Sequence, residues 1–361
     1  MKYNPNNERI KRKYFVFLKD AKGQNDASID GVAMALTRFE TYNKRKDFKA
    51  FHYEQAIAFK RHLAKQNNST TDEKLSKATI HTILRHLKKF FEWLTMQSSY
   101  KSKLNYSDME YFNLADNDVR VATTRREKRI PSLEQIERVI DSMPSRTPIE
   151  MRNRALIAFT LLTGARDSAI ASFKLKHINI DDRSVYQDAR QVKTKFAKTF
   201  RTYFFPVDEK YFEIVAEWVQ YLQSDLLYGE NDPLFPKTQI GLNDNKEFSP
   251  TGLINENWAN ANSIRTIFKK AFEEAGLKYF NPHSFRSTLV RLGEKRCMTP
   301  EEFKAWSQNL GHEQVMTTFT SYGYVGKARQ AELIRLFRDS CCDDSESEIK
   351  QLVKVLASKF G

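Results

Sequence analysis

Cysteine and long apolar runs are both scarce in this 361-residue sequence. The three cysteines, Cys297 and the adjacent pair Cys341 and Cys342, offer neither a disulfide framework nor the paired spacing of a zinc site. No segment approaches the roughly 18 consecutive apolar residues of a membrane helix, and residues 1–8 lack the apolar stretch of a signal peptide. We therefore expect reduced thiols, no metal site and a cytoplasmic protein.

Positive charge, in contrast, is in excess and is concentrated in the first third of the chain. The net charge is +14, and residues 1–130 contain 27 Lys and Arg but only 15 Asp and Glu. Residues 131–361 are nearly balanced, with 32 basic and 30 acidic residues. Such an excess favours a polyanionic partner, because binding to nucleic acid releases counterions. A well-solvated basic surface is the alternative interpretation.

Apolar residues in the first third repeat at helical spacing. One stripe consists of Ile80, Ile83, Leu84, Leu87, Phe91 and Leu94. Comparable stripes lie within 10–18, 29–39 and 53–65, so we predict a bundle of about four helices over residues 1–118. Residues 119–130 have no such stripe and are predicted to form a basic linker, either along a phosphate backbone or in solvent. Its basic residues are Arg120, Arg125, Arg126, Lys128 and Arg129.

A second domain is predicted over residues 131–361. Its first helix begins after Ser132, with Gln135 completing a capping box, and another runs from Pro148 to Gly164. Short strands are expected at 177–181, 185–195 and 199–207, followed by helices at 208–224, 262–275, 283–296 and 300–310. A terminal stripe, Ile349, Leu352, Val353 and Leu356, predicts one more amphipathic helix.

Three segments of this second domain contain side chains suited to phosphate chemistry. Arg166 follows the helix-ending Gly164, where a cation is common with or without a ligand. His283 and Arg286 are three residues apart at a helix start and share one face, as a ligand site or as a polar surface turn. His312 follows a third helix. Ten residues later, Tyr322 becomes a nucleophile only if cations or bases assist its deprotonation.

Taken together, these residues resemble the tyrosine recombinase, or phage integrase, family. The family signature is Arg, Lys, His-x-x-Arg, His or Trp, and then Tyr. It corresponds here to Arg166, a hairpin lysine, His283 with Arg286, His312 in Leu-Gly-His, and Tyr322. The resemblance implies a mainly α fold with a small antiparallel β-sheet. A helical, SAM-like core-binding domain would precede a mixed α+β catalytic domain.

The resemblance also implies an activity. The protein would be a site-specific DNA recombinase that forms a 3′-phosphotyrosyl intermediate, needs neither metal nor nucleotide cofactor, and integrates or excises a mobile element. Its partner would be double-stranded DNA, bound by a homotetramer with or without accessory DNA-bending proteins, in association with the nucleoid. The helix predicted at 349–356 would pass to a neighbouring subunit, as the carboxy-terminal segment often does in the family, or pack on its own subunit. Tyr322 would attack, Arg166, Arg286 and His312 would hold the phosphate, and His283 would assist proton removal.

The sequence departs from the family pattern at three places. The acidic residue expected three positions after Arg166 is Ala169, and the tyrosine lies ten rather than nine residues after His312, which leaves Tyr324 as a rival nucleophile. The hairpin contains several lysines: Lys195 is the favoured general acid and Lys198 is the next candidate, while Lys193 and Lys198 are also expected to bind DNA. Two other functions also fit these residue types: a type IB topoisomerase, and a DNA-binding regulator that has lost catalysis.

Overall fold

The protein is described by a computed structural model that covers residues 3–68, 72–124, 129–242 and 247–312. The chain forms two compact units, Met1–Arg126 and Glu127–Gly361. The division falls within the segment predicted to be a linker. Among the residues that the structure describes, no helix is long and apolar enough to cross a membrane.

The first unit is helical. Its helices are α1 (Pro5–Val16), α2 (Asp26–Tyr42), α3 (Tyr53–Lys65), α4 (Lys77–Thr95) and α5 (Asp116–Thr123), with a π-helical turn at Phe17–Ala21 and 3₁₀ turns at Phe48–Ala50 and Tyr106–Phe112. The four predicted helices are confirmed. Their apolar stripes meet in a core rich in phenylalanine rings, among them Phe39, Phe91 and Phe112.

The start of the predicted linker requires a correction, because residues 119–123 are the second half of helix α5. This helix buries no residue, so it leaves no apolar stripe in the sequence. Two acidic residues in its first turn interact favourably with the positive end of the helix dipole. One of them, Asp118, also forms a 2.9 Å ion pair with Lys77 of α4. Polar contacts rather than burial therefore support α5.

The second unit combines helices with two small antiparallel sheets. Its helices are α6 (Leu133–Ser142), α7 (Pro148–Thr163), α8 (Asp167–Ile170), α9 (Glu209–Ser224), α10 (Asn262–Glu274), α11 (Ser284–Arg296) and α12 (Pro300–Asn309). Strands β1 (Ile178–Asn179), β2 (Ser184–Gln187) and β3 (Phe200–Tyr203) pair in sequence order. Strands β4 (Lys237–Leu242) and β5 (Phe248–Ile254) form a separate hairpin. Leu175–His177 and Lys195–Ala197 are 3₁₀ turns.

Helix α7 is the central element of this unit. Every residue from Ala155 to Thr163 is buried, so the helix is enclosed on all sides and packs against α6, α9 and α11. Its predicted start is confirmed: Thr147 and Glu150 form a capping box around Pro148. Because α7 is rigidly packed, its carboxyl end is a fixed platform for the residues that follow it.

The strands differ from the sequence-based prediction. Residues 188–195, predicted to extend β2, leave the sheet, because the carboxylate of Asp188 accepts hydrogen bonds from the backbone and side chain of Arg190 and begins a turn. The β4–β5 hairpin was not predicted. Its alternation of polar and apolar residues is interrupted by Gly241 and Pro250, which weakens the strand signal.

Candidate functional site

The guanidinium of Arg286 connects two chain segments that are far apart in sequence. Arg286 lies in the first turn of α11 and is 2% exposed. Its Nη1 donates to the carbonyl oxygen of Gly164 at 2.6 Å, and its Nη2 donates to that of Leu310 at 2.6 Å. The end of α7 and the end of α12 are thus held on one side chain.

Glycine is required at the end of α7 for two reasons. Gly164 has the left-handed backbone conformation (φ 58°) that ends the helix, and a Cβ there would lie 3.0 Å from side-chain carbons of Leu289 and Leu310. The tight turn exposes the carbonyl oxygen that Arg286 binds and leads directly into Arg166. Arg166 has extended backbone angles and begins the short helix α8.

Strand β3 is fixed against the end of α12. Thr202 donates its hydroxyl to the carbonyl oxygen of Asn309, and the side chain of Asn309 forms two hydrogen bonds with the backbone of Tyr203, at 2.7 and 2.8 Å. Lys198, two residues before β3, is therefore held close to His312, three residues after α12 ends. Sequence order alone gives no indication of this link.

His312 lies at the centre of the resulting cluster. It is 5% exposed, and its Nε2 lies 3.0 Å from Nη2 of Arg286. A guanidinium can only donate, so Nε2 is the acceptor and the neutral ring carries its hydrogen on Nδ1. Burial lowers the pKa of His312 to about 3. Nearby basic groups also lower this pKa: Arg286, Arg166, Lys198 and His283.

This arrangement is suited to an anion. Several cationic or protonatable groups lie near the buried imidazole of His312, and their positive charge disfavours the protonated form of that ring. The Nε of Arg286 is itself buried without a hydrogen-bond partner among the described residues, and such an atom is costly unless a ligand satisfies it. A tetrahedral anion with several oxygens supplies both the missing acceptor and the missing negative charge.

Comparison with known proteins agrees with this geometry. The model of the phage integrase family matches residues 132–328, more than half of the chain. The chain belongs to the phage integrase family. Membership gives it the activity of a tyrosine recombinase, the site-specific breakage and rejoining of DNA.

The chain is also similar to a relative in sequence and to solved structures in fold. Tyrosine recombinase XerC of Lactobacillus delbrueckii subsp. bulgaricus is 25% identical over 253 residues, which are 69% of this chain and 72% of that protein. The structure of the XerH recombinase on its palindromic difH substrate has a TM-score of 0.60 at 18% identity, over 89% of this chain and 82% of that one. A λ integrase dimer on a core site has a TM-score of 0.58 at 14% identity, over 87% and 94%.

Five of the integrase signature positions fall within the described residues, and four of them are brought together. Arg166, His283, Arg286 and His312 form the cluster described above. Tyr322 and the rival Tyr324 lie outside the described residues, as do Arg125, Arg126, Lys128 and the apolar stripe at 349–356. Arg120 and Arg129 are exposed.

The hairpin lysine is the fifth position, and its two candidates, Lys195 and Lys198, differ in their surroundings. Lys198 contributes to the lowered pKa of His312. Lys195 is exposed, in the 3₁₀ turn of the loop, with its Nζ 4.8 Å from the ring centroid of Phe196. Lys193 points to the start of α10 and donates to the carbonyl oxygen of Ala259 at 3.3 Å.

The integrase position that usually carries an acid is occupied by Ala169, which is 1% exposed and packs in the core. The neighbouring Asp167 does not replace it by turning toward the cluster. Its Oδ2 accepts hydrogen bonds from Nε of Arg265 at 2.8 Å and forms a 2.8 Å ion pair with Nη2. Sequence reasoning missed Arg265, because it is one of several cations on an amphipathic helix.

Proposed function

We propose that Tyr322 is the nucleophile of this recombinase and that the cluster around His312 binds the scissile phosphate. The observation that carries the proposal is the buried Nε of Arg286, which has no partner among the described residues while its Nη atoms hold Gly164 and Leu310. An oxygen of the phosphodiester satisfies it. Arg166 holds a second non-bridging oxygen as negative charge develops.

The chemistry then proceeds by a single exchange of bonds. The Tyr322 oxygen attacks phosphorus as its proton passes to His283, and the bond to the 5′-oxygen breaks. His312 donates its Nδ1 hydrogen to a non-bridging oxygen, since Arg286 already occupies Nε2. The products are a 3′-phosphotyrosyl link and a free 5′-hydroxyl. In rejoining, a 5′-hydroxyl attacks the phosphotyrosine and releases Tyr322, so the same steps run in reverse.

Lys198 is proposed as the general acid that protonates the departing 5′-oxygen, in place of Lys195. Its support is its electrostatic effect on His312, whereas Lys195 is exposed on the loop beside Phe196. Lys198→Ala should slow cleavage by roughly 10²- to 10⁴-fold, and Lys195→Ala should not. A substrate with a 5′-bridging sulfur should restore the rate of Lys198→Ala, because a thiolate leaves without protonation.

Covalent trapping tests the nucleophile. Nicked DNA containing the recombination site should give an SDS-stable adduct with the wild-type protein. Tyr322→Phe should give none, while its salt-sensitive DNA binding remains. Tyr324→Phe is the matched control and should form the adduct. An adduct that persists in Tyr322→Phe and is lost in Tyr324→Phe would refute the assignment.

The remaining proposals concern assembly and biological role. We propose that the basic first unit, extended by the segment 119–130, grips the DNA, and that four copies exchange strands between two duplexes. Accessory bending proteins and association with the nucleoid belong to the same proposal, as does integration or excision of a mobile element. Strand transfer between two sites supports it; relaxation of supercoils without transfer would favour a topoisomerase.

A further inference from the structure

Asp167 and Arg265 form a pair next to the proposed phosphate site, and neither residue takes part in the proposed cleavage chemistry. Asp167 directly follows Arg166 in the chain, and Arg265 extends from the first turn of α10. Nε of Arg265 donates to Oδ2 of Asp167 at 2.8 Å, and Nη2 of Arg265 is paired with the same oxygen at 2.8 Å. One edge of the guanidinium is thereby fixed in orientation.

The carboxylate of Asp167 is itself held in place. Its other oxygen, Oδ1, accepts a hydrogen bond from the backbone N–H of Ser168 at 2.9 Å. Its side chain is 22% exposed, whereas that of Arg265 is 55% exposed. The inner partner is therefore anchored to the backbone beside Arg166, and the outer partner faces solvent.

The segment that follows Arg166 is also hydrogen-bonded to the loop 193–198, which is called the lysine loop here. Ser168 donates its hydroxyl to the carbonyl oxygen of Lys193 at 3.2 Å, and Ser172 accepts from the backbone N–H of Lys193 at 2.9 Å. The Nζ of Lys193 reaches the carbonyl oxygen of Ala259, just before α10. Arg166, the loop and the start of α10 thus form one supported surface.

The free edge of Arg265 is chemically suited to a phosphate. Arginine has five N–H donors in a rigid plane, and Asp167 engages only the edge formed by Nε and Nη2. Nη1 forms no bond with any residue that the structure describes. Fixing one edge of a guanidinium reduces the entropy that the other edge loses when it binds an oxyanion.

We propose that Arg265 binds a DNA phosphate that flanks the scissile one, and that Asp167 is a positioning residue that orients it. This inference rests on the proposed function, since it places a second phosphate beside the group held by Arg166 and Arg286.

Substitution of Arg265 removes a positive charge, whereas substitution of Asp167 removes a negative one. The effects of the two substitutions on DNA affinity therefore distinguish a positioning role of Asp167 from a purely electrostatic one. Arg265→Ala removes one phosphate contact and should reduce the slope of log K against log salt by about one, with about tenfold weaker binding at moderate salt. Asp167→Asn makes the surface more positive. If Asp167 only neutralised charge, this variant would bind DNA more tightly; if it positions Arg265, binding weakens.

The experiment measures binding of a fluorescent 40-base-pair duplex to the full chain between roughly 50 and 200 mM KCl, a range over which phosphate contacts are resolved. All variants carry Tyr322→Phe, so failure of the proposed nucleophile does not affect the result. The double variant Asp167→Asn/Arg265→Ala should bind like Arg265→Ala alone, because Asp167 acts through Arg265.

A matched control is present elsewhere in the same unit. Arg183 and Glu209 form another exposed bidentate pair, at 2.9 and 2.6 Å, in the turn at the far end of β2 from the lysine loop. Arg183→Ala and Glu209→Gln should leave the salt slope unchanged. An unchanged slope in Arg265→Ala, with an unchanged melting temperature, would overturn the proposal, and so would tighter binding by Asp167→Asn.

Discussion

Two buried arginines of the second unit, Arg152 and Arg286, differ in how fully the protein satisfies their hydrogen-bond donors, and only Arg286 is proposed to bind a phosphate. Each is 2% exposed, and neither has a carboxylate within ion-pair distance among the described residues. Burial lowers the pKa of Arg152 to about 10. A buried cation without an acid is therefore not by itself evidence of a ligand.

Each guanidinium nitrogen of Arg152 donates a hydrogen bond to another group of the protein. Its Nη1 donates to the carbonyl oxygen of Pro236 and the hydroxyl of Thr238, while Nε and Nη2 both donate to the side chain of Asn153. The guanidinium also lies 5.1 Å from the ring of Trp258. Every nitrogen has a partner, and the side chain fastens the β4–β5 hairpin to α7.

Arg286 is only partly saturated. Its Nη atoms hold two backbone carbonyl oxygens and an imidazole, but its Nε is buried without a partner among the described residues. Further positive groups surround the imidazole of His312. The two arginines are equally buried, so the difference between them is the unsatisfied donor of Arg286 among like charges, and this difference supports the proposed phosphate site.

The largest expected effect is on catalysis at Arg286. Arg286→Lys retains the charge but cannot reach Gly164, Leu310 and a phosphate together, so the rate of adduct formation should fall about 10³-fold. Single-turnover trapping with nicked substrate measures it. Arg152→Lys is the control and should leave the rate per folded molecule unchanged. Equal losses in the two variants would remove the distinction.

The next effect is on stability at Arg152. Arg152→Met leaves the acceptors on Pro236, Thr238 and Asn153 without their donor, and we expect the free energy of unfolding to fall by about 2–4 kcal/mol. Urea unfolding followed by tryptophan fluorescence measures this, because three of the four tryptophans lie in the second unit. A loss below about 0.5 kcal/mol would show that Arg152 is not a structural fastener.

A smaller effect is the pH dependence that His312 contributes. Its folded-state pKa of about 3 lies below the ordinary value of 6.5, so the unfolded chain binds the proton more readily. Stability attributable to His312 is complete above pH 6.5 and is lost as the pH falls toward 3, by about 2 kcal/mol at pH 5. His312→Asn should flatten the profile between pH 7 and 5, as measured by urea unfolding. If the unfolding free energies of the wild-type protein and of His312→Asn changed with pH in parallel, this explanation would be wrong.

The smallest effect is stabilisation by a simple anion. Inorganic phosphate at several times its dissociation constant should raise the unfolding free energy of the second unit by about 1 kcal/mol, through binding to the cluster around Arg286. The shift in melting temperature, measured at constant ionic strength, should disappear in Arg286→Lys and persist in Arg152→Lys. A shift of the same size in both variants would place the anion elsewhere.

Much of the architecture could be predicted because it is encoded locally. The stripe from Ile80 to Leu94 predicts α4, and the capping pairs at Ser132 and Thr147 predict the starts of α6 and α7. Helix α5 and the β4–β5 hairpin were missed, because α5 buries no residue and the hairpin is interrupted by glycine and proline.

The types of residues and their order along the chain are enough to indicate phosphate chemistry. How these residues meet depends on the fold, because hydrogen bonds between distant segments set the distances between them. Arg286 joins Gly164 to Leu310, and Asn309 holds β3 so that Lys198 rather than Lys195 approaches His312. Asp167 and Arg265 are 98 residues apart, Tyr203 and Asn309 are 106 apart, and no local pattern encodes contacts over such separations. Neither the approach of Lys198 to His312 nor the pairing of Asp167 with Arg265 could therefore be read from spacing alone.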